Sequence, residues 1–283
     1  MTFLIVFICC AAELTYMSSQ AFRATQWIVS WHRWLTDKIQ WRGWRGGGAL
    51  VVALVLPCFV LGALFNIVVA ESTLMSLVGG SAVLLFCFGS GDFAGDIESY
   101  TSHYLDANDQ LPPPDKENFL QDVGSIDGDP DGPTMRAVAI EANDSLFAPA
   151  LWCCILGPVG ALLFRMSSTL QRSLDDATAE AVLARRLYNV LLWLPARLLG
   201  FGLGLAGTLG PVMGVLRDRA YDLSESNTLL GDAALAALGH QAVDDYDGDD
   251  SHVASIRSMF RLVKHGFIVW LVVLGLLSSA GLA

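Results

Sequence analysis

Apolar residues in this chain come in long blocks rather than in the short alternating runs of a strand or the single stripe of a soluble helix. GALVVALVLPCFVLGALFNIVVA (48–70), TLMSLVGGSAVLLFCFGSG (73–91) and LVKHGFIVWLVVLGLLSSAGLA (262–283) each read as a transmembrane helix, because about 20 apolar residues cover a hydrocarbon core ~30 Å thick. DSLFAPALWCCILGPVGALLFR (144–165) and VLLWLPARLLGFGLGLAGTLGPVMGVL (190–216) are equally apolar but interrupted. Gly157, Pro158 and Gly160 break the first; Pro195 and Gly210-Pro211 break the second. In lipid an interrupted helix leaves backbone groups without partners, at several kcal/mol each, so such breaks need shelter from neighbouring segments or a wet cavity. The pattern predicts an all-α fold: a single polytopic integral membrane bundle with broken or re-entrant segments and one polar insert at 92–143.

The flanks refine this picture. TFLIVFICCAA (2–12) lacks a preceding basic residue and a following small-x-small cleavage pattern, so it reads as a first span rather than a signal peptide. Glu13 then faces the bundle or the interface, or is itself a buried functional carboxylate. Residues 18–47 hold Arg23, Arg33, Lys38, Arg42 and Arg45 against Asp37 alone, which places them in the cytoplasm. Trp27, Trp31 and Trp34 fall on one helical face there, as expected of an interfacial brace in the headgroup layer.

Composition agrees with a membrane protein: 53% of residues are hydrophobic and 16% charged, against ~25% charged in soluble domains. The net charge of −11 comes mainly from the insert 92–143 and from DDYDGDD (244–250), which argues against nucleic acid as a partner. Asp127-Gly-Asp-Pro-Asp131-Gly copies the first half of a calcium loop, but Val138 stands where the bidentate Glu belongs, so a solvated turn is the better reading. The five histidines have no ligand spacing, the cysteines lie in apolar runs without a CxxC pair, and no phosphate-binding P-loop or G-x-S-x-G is present. No catalytic residue, metal or cofactor is expected.

Charged and amide side chains at the borders of the broken segments are the exception. Glu141, Asn143, Asp144, Arg165 and Arg197 are expected to form a polar cluster at the cytoplasmic mouth, binding a small molecule of unknown kind or pairing to stabilise the bundle. If 144–165 simply crossed, Arg165, Arg172, Arg185 and Arg186 would become periplasmic, against the positive-inside tendency. Folding back at Gly157–Gly160 removes that conflict.

EANDSLFAPALWCCILGPVGALLFR (141–165), the FGSGDF run at 88–93 and LLWLPARLLG (191–200) resemble the AmpE family of bacterial inner-membrane proteins. The resemblance covers the whole chain and implies a multi-pass modulator of β-lactamase induction tied to cell-wall recycling. Its partners would be the bilayer and other membrane or cell-wall-recycling proteins. The wider CobD/CbiB group, corrinoid amide synthases, shares Ala148-Pro149, Gly160-Ala161-Leu162, Phe164-Arg165 and Leu194-Pro195-Ala196-Arg197-Leu198. Its E-N-T-V-D-G and N-T-L-D-S stretches are mostly replaced here, which disfavours the synthase. A small transporter is a further alternative, suggested by the broken helices.

Overall fold

A computed structural model describes residues 6, 9, 26–38, 48–71, 73–88, 132–174, 178–223, 225–239 and 249–279. Among these the regular elements are all helical: α1 (Gln26–Lys38), α2 (Gly48–Glu71), α3 (Thr73–Cys87), α4 (Gly132–Ala142), a π-helical turn (Asn143–Phe147), α5 (Ala148–Leu156), α6 (Pro158–Ser173), α7 (Ala179–Ala206), α8 (Leu209–Asp218), α9 (Ser226–Leu238) and α10 (Asp249–Ser279). Glu13, the rest of the basic segment, residues 89–131 with the calcium-loop-like run, and 240–248 lie outside the described residues.

Among the described residues three helices are long and apolar enough to cross a membrane: Gly132–Leu156, Ala179–Ala206 and Ser255–Leu276. The apolar helices Leu50–Asn66 and Leu77–Cys87 are shorter. Along α2, Val55, Phe59 and Leu64 are 57%, 74% and 55% exposed, which suits contact with acyl chains.

Three expected boundaries move. The insert does not reach 143, because α4 starts at Gly132 and continues through the π turn into α5 as one apolar rod ending at Leu156. Pro133 sits in the first turn, where its missing N–H costs nothing, and Thr134, Met135, Ala137, Val138, Ala139 and Ile140 are buried. The break at Gly157 therefore closes a rod instead of bisecting the segment 144–165. The helix expected at 190 starts at Ala179, and its break falls at Gly207–Thr208 rather than at Gly210-Pro211. Pro211 is in the first turn of α8, a place that tolerates it. The last helix likewise starts at Asp249, ahead of Leu262.

The chain forms two compact units. The first comprises residues 1–92 and 144–192 with 283; the second comprises 93–143 and 193–282.

In the first unit α6 packs on α1, α2 and α3, and α5 packs on α3 and α6. Ile28, Leu50, Leu84, Phe88, Phe164, Met166, Leu170, Tyr188 and Leu192 fill its core. Gly157 makes the fold-back between α5 and α6 with φ 72° and ψ −166°, a region essentially confined to glycine. A Cβ on Gly160 would lie 2.5 Å from the Trp152 carbonyl and 2.6 Å from the Leu156 Cβ. Contact between residues eight apart is impossible in a straight helix, so the chain reverses here and α6 runs back beside α5.

Two tryptophans of this unit repair helices that contain proline. Pro57 has no N–H for the carbonyl of Ala53, and Trp31 Nε1 donates to that carbonyl at 3.3 Å. Pro195 likewise leaves the Leu191 carbonyl without its helical donor, and Trp152 Nε1 donates to it at 3.0 Å. The Trp-rich helix α1 is thus tied to α2 by Trp31, whose ring also stacks on Trp34 with centroids 5.3 Å apart.

In the second unit α4 packs on α9 and α10, and α8 on α9. Glycines let the helices approach closely. Gly204 meets Val212 and Leu209 of α8, Gly200 meets Ala233 of α9, and Gly202 meets Trp270 of α10. The break between α7 and α8 is docked on the end of α9: Thr208 N donates to the Ala237 carbonyl at 3.0 Å, and Thr208 Oγ1 to that of Ala236 at 2.7 Å. Those carbonyls have no partners within α9, so one threonine satisfies the end of a neighbouring helix.

Candidate functional site

The π turn follows from the sequence around it. Pro149 cannot donate, and the five residues Asn143–Phe147 widen to π geometry just before it. Such single π turns often mark functional positions because they re-aim side chains that a regular helix would bury elsewhere.

Asp144, on this turn, is fully buried in the first unit. Its carboxylate accepts from Tyr188 Oη at 2.7 and 2.8 Å, from Arg172 at 2.8 Å and from Ser168 Oγ at 3.3 Å. Buried charge is tolerated when it is paired and hydrogen-bonded, and this carboxylate is both. The Arg172 side chain is 41% exposed, so the cluster reaches the surface of its unit through that guanidinium. Tyr188 also packs its ring against Phe164, with centroids 6.0 Å apart.

The five residues expected to form one cluster divide between the units. Asp144 and Arg165 belong to the first; Glu141, Asn143 and Arg197 belong to the second. Arg165 is buried on α6. Arg172 is bonded to Asp144 at 2.8 Å. Asn143 is fully buried with both ends of its amide unpartnered, an arrangement that costs about 1–3 kcal/mol per group.

Arg197 is an anchor in the second unit. Its guanidinium donates to the carbonyls of Arg219 and Asp222 at 2.7 Å each and of Ala220 at 2.9 Å, and it reaches Ser226 Oγ at 3.4 Å. It also lies 4.7 Å from the Trp193 ring centroid. These carbonyls belong to the C-cap residue of α8 and to the turn that follows it, so Arg197 braces the turn between α8 and α9. Nearby in the same unit, Asp232 takes Arg136 at 2.8 Å on one oxygen and Arg219 at 2.9 Å on the other. Gly231 leaves room for the Arg136 stem, which lies 2.9 Å from where a Cβ would be.

Sequence reasoning passed over Ser168, Arg172 and Tyr188. A signal was present for two of them: Arg165, Ser168 and Arg172 are spaced three and four apart and share one face of α6. His32, set aside as an isolated histidine, lies buried with Nε2 3.3 Å from a Glu180 carboxylate oxygen, linking α1 to the start of α7. Among the described residues no group of three or more His, Cys, Asp or Glu is placed to hold a metal.

No family profile, no curated protein and no solved structure matches this chain.

Proposed function

We propose that this is a multi-pass protein of the bacterial inner membrane, of AmpE type, that modulates the response to β-lactams through cell-wall recycling without catalysing a reaction. The observation that supports this reading most directly is what the residues carrying the resemblance do. Gly157 and Pro158 turn the chain, Gly160 lets α6 meet α5, Pro195 creates the carbonyl that Trp152 fills, and Arg197 braces the turn after α8. Each has a scaffolding task. The groups that bind Asp144 are spent on one another, which suits a stabilised polar core better than a reaction centre.

The partners proposed are the bilayer and other membrane or cell-wall-recycling proteins. The test is deletion of the gene in a bacterium that carries it, with β-lactamase activity measured before and after exposure to a β-lactam. Altered induction restored by the intact gene is the expected result. Unchanged induction overturns the proposal, and growth of a strain blocked in corrinoid side-chain attachment, when given this gene, moves the assignment to the synthase.

A further inference from the structure

We propose that the turn of α7 around Pro195 is a hinge, and that the Trp152 indole is the lock that holds it straight. Pro195 has no N–H, so the Leu191 carbonyl, four residues earlier, lacks its intrahelical partner. Proline turns are where helices bend, unless another donor takes over the freed carbonyl. Here the donor is Trp152 Nε1 at 3.0 Å, from a different helix.

The donor sits on an arm of the α5–α6 hairpin. Trp152 belongs to α5, one arm of the hairpin closed at Gly157, and its own carbonyl faces Gly160 of the other arm. The closure of the hairpin therefore sets the position of the indole. Drawing α5 away from α7 withdraws the N–H and softens the turn; reseating α5 stiffens it again.

The Trp31–Ala53 contact at Pro57 shows that the same repair occurs twice in this protein.

A double-mutant cycle tests the lock on the purified full-length protein in detergent micelles. With Ala at 195 the helix regains its own N–H for Leu191, and the indole becomes redundant. Trp152→Phe should lower the melting temperature by about 3 °C in the Pro195 protein and by much less in Pro195→Ala. Amides at 190–199 should exchange about tenfold faster in Trp152→Phe, with Pro195→Ala reversing the change. An equal effect of Trp152→Phe in both backgrounds, or none in either, overturns the proposal. Should Pro195→Ala fail to fold, benzothienylalanine at 152 keeps the ring shape without the donor. Faster exchange at 190–199 then supports the lock, and unchanged exchange overturns it.

Discussion

The Tyr188 hydroxyl reaches both oxygens of Asp144, at 2.7 and 2.8 Å, across 44 positions of sequence. One proton serves one oxygen at a time, so the short distances describe a hydroxyl held in the fork of the carboxylate, with Arg172 and Ser168 as further donors. Removing one partner of a buried hydrogen-bonded charge costs more than removing an exposed one. Tyr188→Phe should destabilise the protein by about 1–3 kcal/mol. Asp144→Ala should cost more, because it removes the acceptor that Tyr188, Arg172 and Ser168 share, and Ser168→Ala less. Thermal unfolding of the purified variants gives the order; Ser168→Ala as the most damaging change contradicts it.

Glycines at the α5–α6 reversal and inside α8 differ in what they tolerate. Gly160→Ala puts a Cβ 2.5 Å from backbone, and Gly157→Ala forces alanine into φ 72°, ψ −166°, worth about 1–3 kcal/mol for the dihedral strain alone. Gly214 of α8 has open space around it, so Gly214→Ala should be neutral or stabilising, by up to about 1 kcal/mol from helix propensity. Expression level and melting temperature separate the two groups.

Arg197→Lys keeps the charge and loses the planar fork that serves three carbonyls at once. The turn at 219–222 should then open, seen as faster amide exchange there and as a new protease cut near Tyr221, which is 92% exposed. Unaltered exchange would show that the carbonyls are held by something else.

Asp232 is shared by Arg136 and Arg219, whose side chains are 14% and 39% exposed. Asp232→Ala should therefore be more damaging than Arg219→Ala, by about 1 kcal/mol or more, since it leaves the better-buried Arg136 without its carboxylate. Comparing the two melting curves decides.

Topology is open to labelling. With Gly132–Leu156 as a full crossing and α6 returning beside α5, Ser173, which is exposed, lies on the side from which the rod started. On the proposed orientation Ser173→Cys is modified in inverted vesicles and protected in intact cells. The opposite result would reverse that orientation. Ser168, buried against Asp144, is unsuited to such labelling.

Apolar runs gave away most helices, and Gly157 with Pro158 gave away the reversal. The start of the first long rod was hidden because α4 is built from Thr, Ala and Val with Arg136 and Glu141 in between, a composition that reads as polar beside its acidic neighbours. The displaced break at Gly207–Thr208 was hidden because Gly-Pro is a weaker signal at a helix start than within one, and the docking of Thr208 on Ala236 and Ala237 is a contact between distant residues. The Asp144 partners and the two tryptophan–carbonyl contacts are of the same kind. Residue types suggested polar pairing, but only the packing of α5, α6 and α7 selects which groups meet.

Gly202 carries the last consequence. The Trp270 indole packs on it, with Nε1 2.5 Å from where a Cβ would stand, and donates at 2.6 Å to the Leu198 carbonyl one turn earlier. One attachment of α10 thus depends on the smallest substituent a residue can bear. A single methyl group there would push the ring off the Leu198 carbonyl while leaving every charge in the protein untouched.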